Sequence, residues 1–215
     1  MLIDLHSAIK KYNMNITGVI HVGGHVGTEY DEYQKIDTIE HMVFFEPDPD
    51  HFKKLKSRVS HDKRAICVNK ALGPFCCEAD FYRETANKGQ SNSLLEPHIH
   101  THIYPETVFN EKIKVKVHPL DKYQTSPKFN FINMDVQGGE LNVLLGASKT
   151  LKNVDYVMTE VNKDELYKNC ALIEDIDYFL SKYNLKRVEE SWADPFWHSN
   201  SEQPVWGDAL YIREK

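Results

Sequence analysis

Residues 19–27 carry the residue types and spacing that most favour ligand binding, in the order VIHVGGHVG. An apolar run leads into a turn with three glycines, which are Gly23, Gly24 and Gly27. Glycine adopts positive φ angles easily and lets a ligand approach the backbone closely. Thr28 and Asp31 fit the capped start of a helix that is predicted to end near Ile36. This strand, turn and helix start predict a site that offers backbone N–H groups to a nucleotide-like ligand.

An acidic residue, Glu46, follows Gly27 by about 20 positions, at the end of the apolar run MVFF. A carboxylate there is placed to accept hydrogen bonds from the ribose hydroxyls of a bound nucleoside. Each such bond contributes about 1.5–3 kcal/mol. Two cofactors fit this pattern, a dinucleotide such as NAD and S-adenosylmethionine. The dinucleotide fingerprint is G-x-G-x-x-G, whereas this chain has G-G-x-x-G with His25 at the spare position.

Other candidate residues also follow apolar runs that are typical of buried strands. They are Ala71 and Leu72 after the third run, Asp135 after FINM, and Glu160 after VDYVMT. Ligands of open α/β sheets bind at the carboxyl edge of the strands, so these positions are expected to meet at one crevice.

The elements that position these residues alternate between apolar runs and helical patterns, which predicts parallel strands with right-handed crossovers. Asp48 and Pro49 are a good N-cap and first residue for the second crossover helix, and Leu2, Leu5, Ile9 and Tyr12 indicate an N-terminal helix. The helix after Asp135 is expected to bury Leu141, Leu144, Leu145 and Leu151. The fold class expected is therefore α/β, with a mostly parallel seven-stranded sheet, helices on both faces and a single domain over residues 1–215.

The alternation is interrupted by two strand-like segments, residues 79–82 and 113–117, with a long irregular stretch between them. Irregular stretches of this length are often binding loops. Three histidines at alternate positions, His98, His100 and His102, lie in it, and we interpret them as solvated or substrate-facing rather than as metal ligands.

Composition narrows the class of protein. The 215 residues are 41% hydrophobic and 27% charged, with a formal net charge of −6 and no basic run of the kind that binds nucleic acid. The four cysteines form no C-x-x-C pair and are interpreted as reduced thiols. No apolar stretch reaches the length of a membrane span, and no signal-peptide pattern is present, so a cytoplasmic protein is expected.

Several segments together resemble the FkbM-type methyltransferases. They are VIHVGGHVGTEY, FFEPDP, ALG, SNSLL, VHPLDKY, FINMDVQGGELNVLLGA and TEV, in family order over about residues 17–162. The DVQGGE segment is the most specific of them. The resemblance implies a class I (Rossmann-like) fold, S-adenosyl-L-methionine as cofactor, and O-methylation of a sugar, a glycan or another hydroxylated small molecule. The charge and hydropathy described above predict no nucleic-acid or membrane partner.

The strand-end positions and the resemblance together predict which residues contact the cofactor. They are His21, Gly23, Gly24, His25, Gly27, Thr28, Glu46, Pro47, Ala71, Leu72 and Asp135. One departure concerns position 21, where the family commonly has an Asp that helps to hold the cofactor's methionine ammonium. A neutral His21 can do so only as a hydrogen-bond acceptor.

O-methyl transfer needs an acceptor oxygen about 3–3.5 Å from the methyl carbon and benefits by about 10²–10⁴-fold from a positioned base. Asp135 and Glu160 are the best-placed bases, and His21 is the third candidate. Asp135 can instead contact the methionine part of the cofactor. No metal is predicted, although Asp135, Glu160 and Asp208 together offer the oxygen ligands that a divalent cation prefers.

The irregular segment of residues 84–111 and the linker of residues 192–206 are expected to form the acceptor side. Aromatic rings there are candidates for stacking on a sugar, and burial in the core is equally compatible with the sequence. These rings belong to Trp192, Phe196, Trp197 and Trp206. Two rival functions stay open at this point, a nicotinamide-dependent oxidoreductase and a family member that binds cofactor without catalysis.

Overall fold

The computed structural model describes residues 2–123, 127–194 and 203–214. Its main feature is a seven-stranded sheet with strand order β3-β2-β1-β7-β8-β10-β9, in which the last two strands are antiparallel to their neighbours. The strands are β1 (Gly18–Val22), β2 (His41–Phe45), β3 (Ala65–Val68), β7 (Phe131–Met134), β8 (Tyr156–Asn162), β9 (Leu185–Trp192) and β10 (Trp206–Arg213). The predicted mostly parallel seven-stranded sheet is confirmed.

Strand β1 lies in the centre of the sheet, and all five of its residues are buried. Its side chains alternate between two hydrophobic clusters, with Ile20 and Val22 on one face and Val19 on the other. A parallel strand covered on both faces has this continuous apolar character. Burial of each such side chain contributes about 1.5–3 kcal/mol, so the strand before the glycine turn is firmly held.

Helices cover both faces, as the sequence predicts. One face packs against α1 (Leu5–Tyr12) and α3 (Pro49–Val59), and the other packs against α5 (Glu140–Leu145) and α6 (Ile173–Ser181). The predicted cap of α3 is confirmed, because Asp48 Oδ1 accepts hydrogen bonds from the backbone N–H groups of Asp50 and His51 at 2.8 and 3.2 Å. No helix in the described part of the chain is long and apolar enough to cross a membrane.

A second, three-stranded sheet forms the insertion between β3 and β7. Its strands are β4 (Ala71–Leu72), β5 (Cys77–Glu84) and β6 (Phe109–His118), with the order β4-β6-β5. The two predicted strand-like segments form the antiparallel pair β5–β6. The connection between them carries the short helix α4 (His100–Ile103). This insertion lies at the same sheet edge as the glycine turn, because β4 directly follows β3.

Two predictions about helices are wrong. The helix after the glycine turn, α2 (Tyr30–Tyr33), has a single turn with Glu29 as N-cap, and the chain then continues in i→i−3 turns to Ile39. Thr28 does not cap it, since its hydroxyl donates to Glu29 Oε2 instead. Leu145, expected on the inner side of α5, is 47% exposed, because α5 ends there and Leu151 lies in a separate 3₁₀ turn (Thr150–Lys152).

Candidate active site

A cavity of about 740 Å³ lies where the carboxyl ends of β1, β2, β7 and β8 meet the insertion. Most of the residues that the sequence singles out line it. They are His21, Gly23, His25, Thr28, Glu46, Pro47, Ala71, Leu72, Asp135 and Glu160. A volume of this size is within the range of small-molecule and cofactor sites.

Gly24 and Gly27 do not line the cavity, although the sequence places them in the cofactor site. A Cβ at either position would lie 2.9 or 2.8 Å from a terminal methyl group of Leu55 on α3. These glycines therefore allow the turn to pack closely on α3 rather than to approach a ligand.

Position 23 requires glycine because the backbone there lies against the end of the neighbouring parallel strand β7. Its φ is +82°, and a Cβ would come within 1.9 Å of the carbonyl oxygen of Asp135. The N–H groups of Gly23 and Gly24 both donate to the carbonyl oxygen of Phe45, at 3.0 and 2.9 Å, and that of Gly27 donates to Gly24. The turn thus uses these N–H groups within the protein, and the prediction that they face a ligand is wrong.

Glu46 lies at the cavity with 4% of its surface exposed. Its Oε2 accepts the backbone N–H of His25 at 2.7 Å and its Oε1 accepts that of Asp48 at 2.8 Å. Burial raises the pKa of Glu46 to about 8, and the two N–H groups act against this rise. Glu46 therefore faces the cavity and connects the turn that follows β1 to the turn that follows β2.

His25 joins the glycine turn to the insertion. Its backbone has a positive φ of 43°, and its Nε2 lies 2.9 Å from the carbonyl oxygen of Lys88. A carbonyl oxygen can only accept, so Nε2 carries the proton. The His25 ring also stacks edge-to-face on that of His51 at 4.2 Å. Its side chain thus fixes the loop that borders the cavity.

Asp135 and Glu160 are brought together by an amide that the sequence analysis did not single out. Gln137 Nε2 donates to Asp135 Oδ1 at 2.7 Å and to Glu160 Oε2 at 2.8 Å. The Tyr167 hydroxyl lies 2.8 Å from Gln137 Oε1 and 3.1 Å from the carbonyl oxygen of Ser91, and both of these oxygens are acceptors for its single proton. Burial and then the neighbouring carboxylates Asp135, Glu140 and Asp208 raise the pKa of Glu160 well above its ordinary value. Burial likewise raises the pKa of Asp135.

Glu140, also absent from the sequence-based site, lies beside this pair. Its Oε1 accepts the backbone N–H groups of Val136 and Gly138 at 3.0 and 3.3 Å, and burial raises its pKa to about 7. Among the described residues, the group of three possible metal ligands with one atom of each within 4.8 Å of the others is Asp135, Glu140 and Glu160. The sequence suggested Asp208 as the third ligand of a divalent cation, and this is wrong, because Glu140 occupies that place.

Asp208 has a different partner. Its Oδ2 accepts the backbone N–H of Ile3 at 3.1 Å and also that of Leu2, so it connects β10 to the N-terminal segment. Burial raises its pKa to about 6.

The acceptor side of the cavity contains two aromatic residues that lie 102 positions apart. Trp206 Nε1 donates to the Tyr104 hydroxyl oxygen at 2.9 Å, and both residues line the cavity. Trp192 instead packs beneath the amino group of Lys163 and donates to Glu190, and it is not among the lining residues. Phe196 and Trp197, also candidates for stacking, lie outside the described residues.

The three histidines of the insertion separate into two environments. His98 and His102 are exposed, whereas His100 is 5% exposed and lines the cavity against the rings of Tyr104 and Tyr167. Burial lowers the pKa of His100 to about 4, so it is neutral at physiological pH. Sequence reasoning missed Tyr104 and Gln137 because their contacts with Trp206 and Glu160 join distant segments. In its hydrogen bonds with Val136 and Gly138, Glu140 contacts only nearby backbone, and its place in the DVQGGE segment is the signal that could have identified it.

The fold is that of the class I methyltransferases. The crystal structure of methyltransferase FkbM from Methylobacillus flagellatus KT has a TM-score of 0.59 at 14% identity and covers 92% of this chain and 44% of that protein. The N-methyltransferase NodS from Bradyrhizobium japonicum WM9 has a TM-score of 0.57 at 9% identity, with 98% and 94% coverage. Streptococcus pneumoniae Sp1610 in complex with S-adenosyl-L-methionine has a TM-score of 0.53 at 11% identity, with 100% and 75% coverage.

Residues 21–186 match the methyltransferase FkbM domain, and the chain belongs to that family. The 2-O-methyltransferase NoeI from Sinorhizobium fredii is 23% identical over 158 residues, which are 70% of this chain. The chain spans 65% of the length of this curated relative. The expected family and fold class are thereby confirmed.

Proposed function

We propose that this chain is an S-adenosyl-L-methionine-dependent O-methyltransferase that acts on a hydroxyl group of a sugar or glycan. The observation that carries the proposal is the continuity of the cavity. It extends from Glu46 beside the glycine turn to Tyr104 on the insertion and Trp206 at the start of β10, and Asp135 and Glu160 lie on its wall. This arrangement suits two ligands that meet at a pair of carboxyl groups. The relative NoeI is named as a 2-O-methyltransferase, which supports the same chemistry.

The charge of the cavity supports a cationic cofactor over a dinucleotide. Among its described lining residues, Lys70 is the one lysine or arginine, and seven are acidic. The acidic residues are Glu29, Glu46, Glu106, Asp135, Glu160, Asp194 and Asp208. Those of the seven carboxyl groups that are ionised would repel two phosphates, and three N–H groups of the glycine turn already have partners in the protein. A sulfonium and an ammonium group would be stabilised by it.

The residues present fit S-adenosyl-L-methionine. Glu46 retains free lone pairs on both oxygens for ribose hydroxyls, since each oxygen accepts one backbone N–H. Pro47, Ala71 and Leu72 give apolar walls beside it, and Asp135 lies toward the amino-acid end. When bound, the cofactor supplies an electrophilic methyl carbon on a positively charged sulfur.

Glu160 is the base in this proposal. A sugar hydroxyl is a weak nucleophile while protonated, so removal of its proton as the new bond forms accelerates the transfer. The raised pKa of Glu160 makes its carboxylate a stronger base once ionised, and the Gln137 N–H donated to it stabilises that ionised form. A bound cation nearby favours ionisation further.

The acceptor side favours a neutral, hydroxylated molecule. The indole of Trp206 and the ring of Tyr104 offer flat apolar surfaces next to polar groups, which is the combination that binds sugars. The acidic lining opposes a phosphodiester acceptor.

Calorimetry with S-adenosylhomocysteine and with NADPH tests the cofactor, and we expect binding of the former alone. Binding of NADPH alone would favour the oxidoreductase. A mass-spectrometric screen of oligosaccharides, nucleotide sugars and small hydroxylated metabolites with methyl-labelled cofactor tests the reaction. Cofactor binding without label transfer to any hydroxyl in the panel would favour a non-catalytic family member.

A further inference from the structure

A buried chain of three polar side chains runs from β7 through α2 to the histidine that replaces the family's common Asp. Asn133 Nδ2 lies 2.6 Å from the Tyr33 hydroxyl oxygen, and that oxygen lies 2.7 Å from His21 Nδ1. The three residues are 1%, 1% and 3% exposed. Water therefore has little access to their hydrogen bonds, and the chemistry of the groups decides where each proton lies.

The proton positions follow from the donors available. An amide nitrogen can only donate, so the Tyr33 oxygen accepts from Asn133 and its single proton is donated to His21 Nδ1. Rotation of the Asn133 amide would leave its NH₂ group buried without a partner, whereas the present orientation leaves Oδ1 without one among the described residues. Unpaired buried N–H groups are the less tolerated of the two. His21 Nδ1 is therefore an acceptor.

A neutral imidazole with an unprotonated Nδ1 carries its proton on Nε2. Burial lowers the pKa of His21, which keeps the ring neutral, while Glu29, Asp135 and the Gly23 carbonyl act in the opposite direction. His21 lines the cavity, and its Nε2 lies 3.9 Å from Glu29 Oε2, which is longer than a hydrogen bond. His21 thus presents an N–H group to the ligand.

We propose that His21 donates its Nε2–H to the carboxylate of the cofactor's amino-acid end, and that Tyr33 and Asn133 are positioning residues that fix this tautomer. Glu29 and Asp135, both on the cavity wall, are then the acceptors for the ammonium group of the same ligand. The proposal rests on the proposed cofactor and reverses the expectation that His21 accepts from the ammonium. It also removes His21 as a candidate base, because the lone pair of the ring is occupied by Tyr33.

Calorimetry with two ligands tests the assignment. S-adenosylhomocysteine carries the carboxylate, and its decarboxylated analogue lacks that group but keeps the amine. We expect His21→Ala to weaken binding of S-adenosylhomocysteine about 10- to 100-fold and binding of the analogue less than about threefold. His21→Asn, which retains a donor, should restore part of the loss. His61→Ala, an exposed histidine outside the cavity, serves as the control.

Equal weakening of both ligands by His21→Ala would overturn the proposal, since the side chain would then not distinguish the carboxylate. Failure of the wild-type protein to bind either ligand would instead overturn the proposed cofactor, so the two failures are distinguishable.

Nitrogen-15 NMR of the unliganded protein tests the tautomer without any ligand. We expect His21 to show an unprotonated Nδ1 and a protonated Nε2, and Tyr33→Phe to convert this signal to a mixture of tautomers. Tyr33→Phe should also weaken S-adenosylhomocysteine binding about threefold or more, with the analogue unaffected. A protonated Nδ1 in the wild-type protein would overturn the role of Tyr33.

Discussion

The cavity has a cofactor side, which includes His21 and Glu46, and an acceptor side, which includes His100, Tyr104 and Trp206. The two sides differ in how the hydrogen bonds of their polar groups are satisfied. On the cofactor side, Glu46 accepts two backbone N–H groups, and His21 has a partner in Tyr33. On the acceptor side, His100 Nδ1 is buried without a hydrogen-bond partner in the described parts of the chain, and the Tyr104 hydroxyl accepts from Trp206 with its own proton still available. Buried polar groups are usually paired, so an unpaired group at a cavity indicates a place for a ligand. Among the described residues, the unpaired buried side-chain atom that lines the cavity is thus His100 Nδ1, on the acceptor side, where substrate can pair with it.

The two sides meet at Gln137, whose amide holds Asp135 toward one ligand and Glu160 toward the other. If the comparison is correct, changes on the cofactor side will alter binding of S-adenosylhomocysteine. Changes on the acceptor side will alter turnover or the KM of the acceptor and leave that binding unaffected.

The largest effect is expected for Glu160→Gln. Loss of the base should lower kcat about 10²–10⁴-fold, with S-adenosylhomocysteine affinity changed less than about threefold. The acidic limb of the pH–rate profile should disappear with it, because that limb reports protonation of the base. Asp135→Asn is the matched comparison and should damage both cofactor binding and rate.

Near-normal turnover in Glu160→Gln would place the base elsewhere. A rate in either variant that is restored by added magnesium or manganese would instead assign Asp135, Glu140 and Glu160 to a bound cation.

The next effect concerns Glu46→Gln, which should weaken S-adenosylhomocysteine binding by about 1.5–3 kcal/mol when measured above about pH 8, where the carboxylate is ionised and its charged ribose contacts are lost in the variant. The sequence suggests that a strand-end carboxylate contributes little to the fold. The structure predicts lower stability as well, because the new amide NH₂ would face one of the two backbone N–H groups that Glu46 accepts. Calorimetry and thermal denaturation measure the two losses separately. Unchanged affinity in a folded Glu46→Gln variant would exclude Glu46 from the site.

The cofactor side was also the more predictable one from the sequence. The glycine turn, Glu46 and the Asp48–Pro49 cap are local patterns, and periodicity correctly gives the parallel strands before them. The contacts that sequence reasoning missed join distant parts of the chain. Gly24 and Gly27 pack on Leu55. Tyr33 contacts Asn133, 100 positions away, and Tyr104 contacts Trp206. A local pattern identifies residue type and approximate position, but it does not identify the tertiary partner.

Stability should depend on pH through the buried carboxyl groups. The pKa values of Glu46 and Glu140, about 8 and 7, lie above the ordinary value of 4.5, so the folded protein binds more protons than the unfolded chain up to about pH 8. The free energy of unfolding of the ligand-free protein should therefore fall by about 2 kcal/mol as pH rises from about 6.5 to 8. Denaturant titrations at several pH values measure this slope.

Glu46→Gln provides the control, because it removes the carboxyl group that has the higher of these two pKa values. The slope above pH 7 should become shallower in that variant. Stability that rises between pH 6.5 and 8 would contradict the account of the buried acids. Below about pH 6.5 the buried His100, with a pKa of about 4, acts in the opposite direction, since the unfolded chain then binds the extra proton.

The smallest effect separates the two sides most cleanly and concerns Tyr104→Phe. Burial raises the pKa of Tyr104, so its hydroxyl stays protonated, accepts from Trp206 and has its own proton to donate to an acceptor molecule. Loss of one neutral hydrogen bond, about 0.5–1.5 kcal/mol, should raise the acceptor KM about 2- to 10-fold and leave S-adenosylhomocysteine affinity unchanged. Trp206→Phe should produce a similar increase, because it removes the N–H that orients this hydroxyl. Tyr178→Phe, at a 70% exposed residue outside the cavity, is the control and should change neither quantity. If Tyr104→Phe weakened cofactor binding and left the acceptor KM unchanged, the insertion would belong to the cofactor side, and the division of the cavity would be wrong.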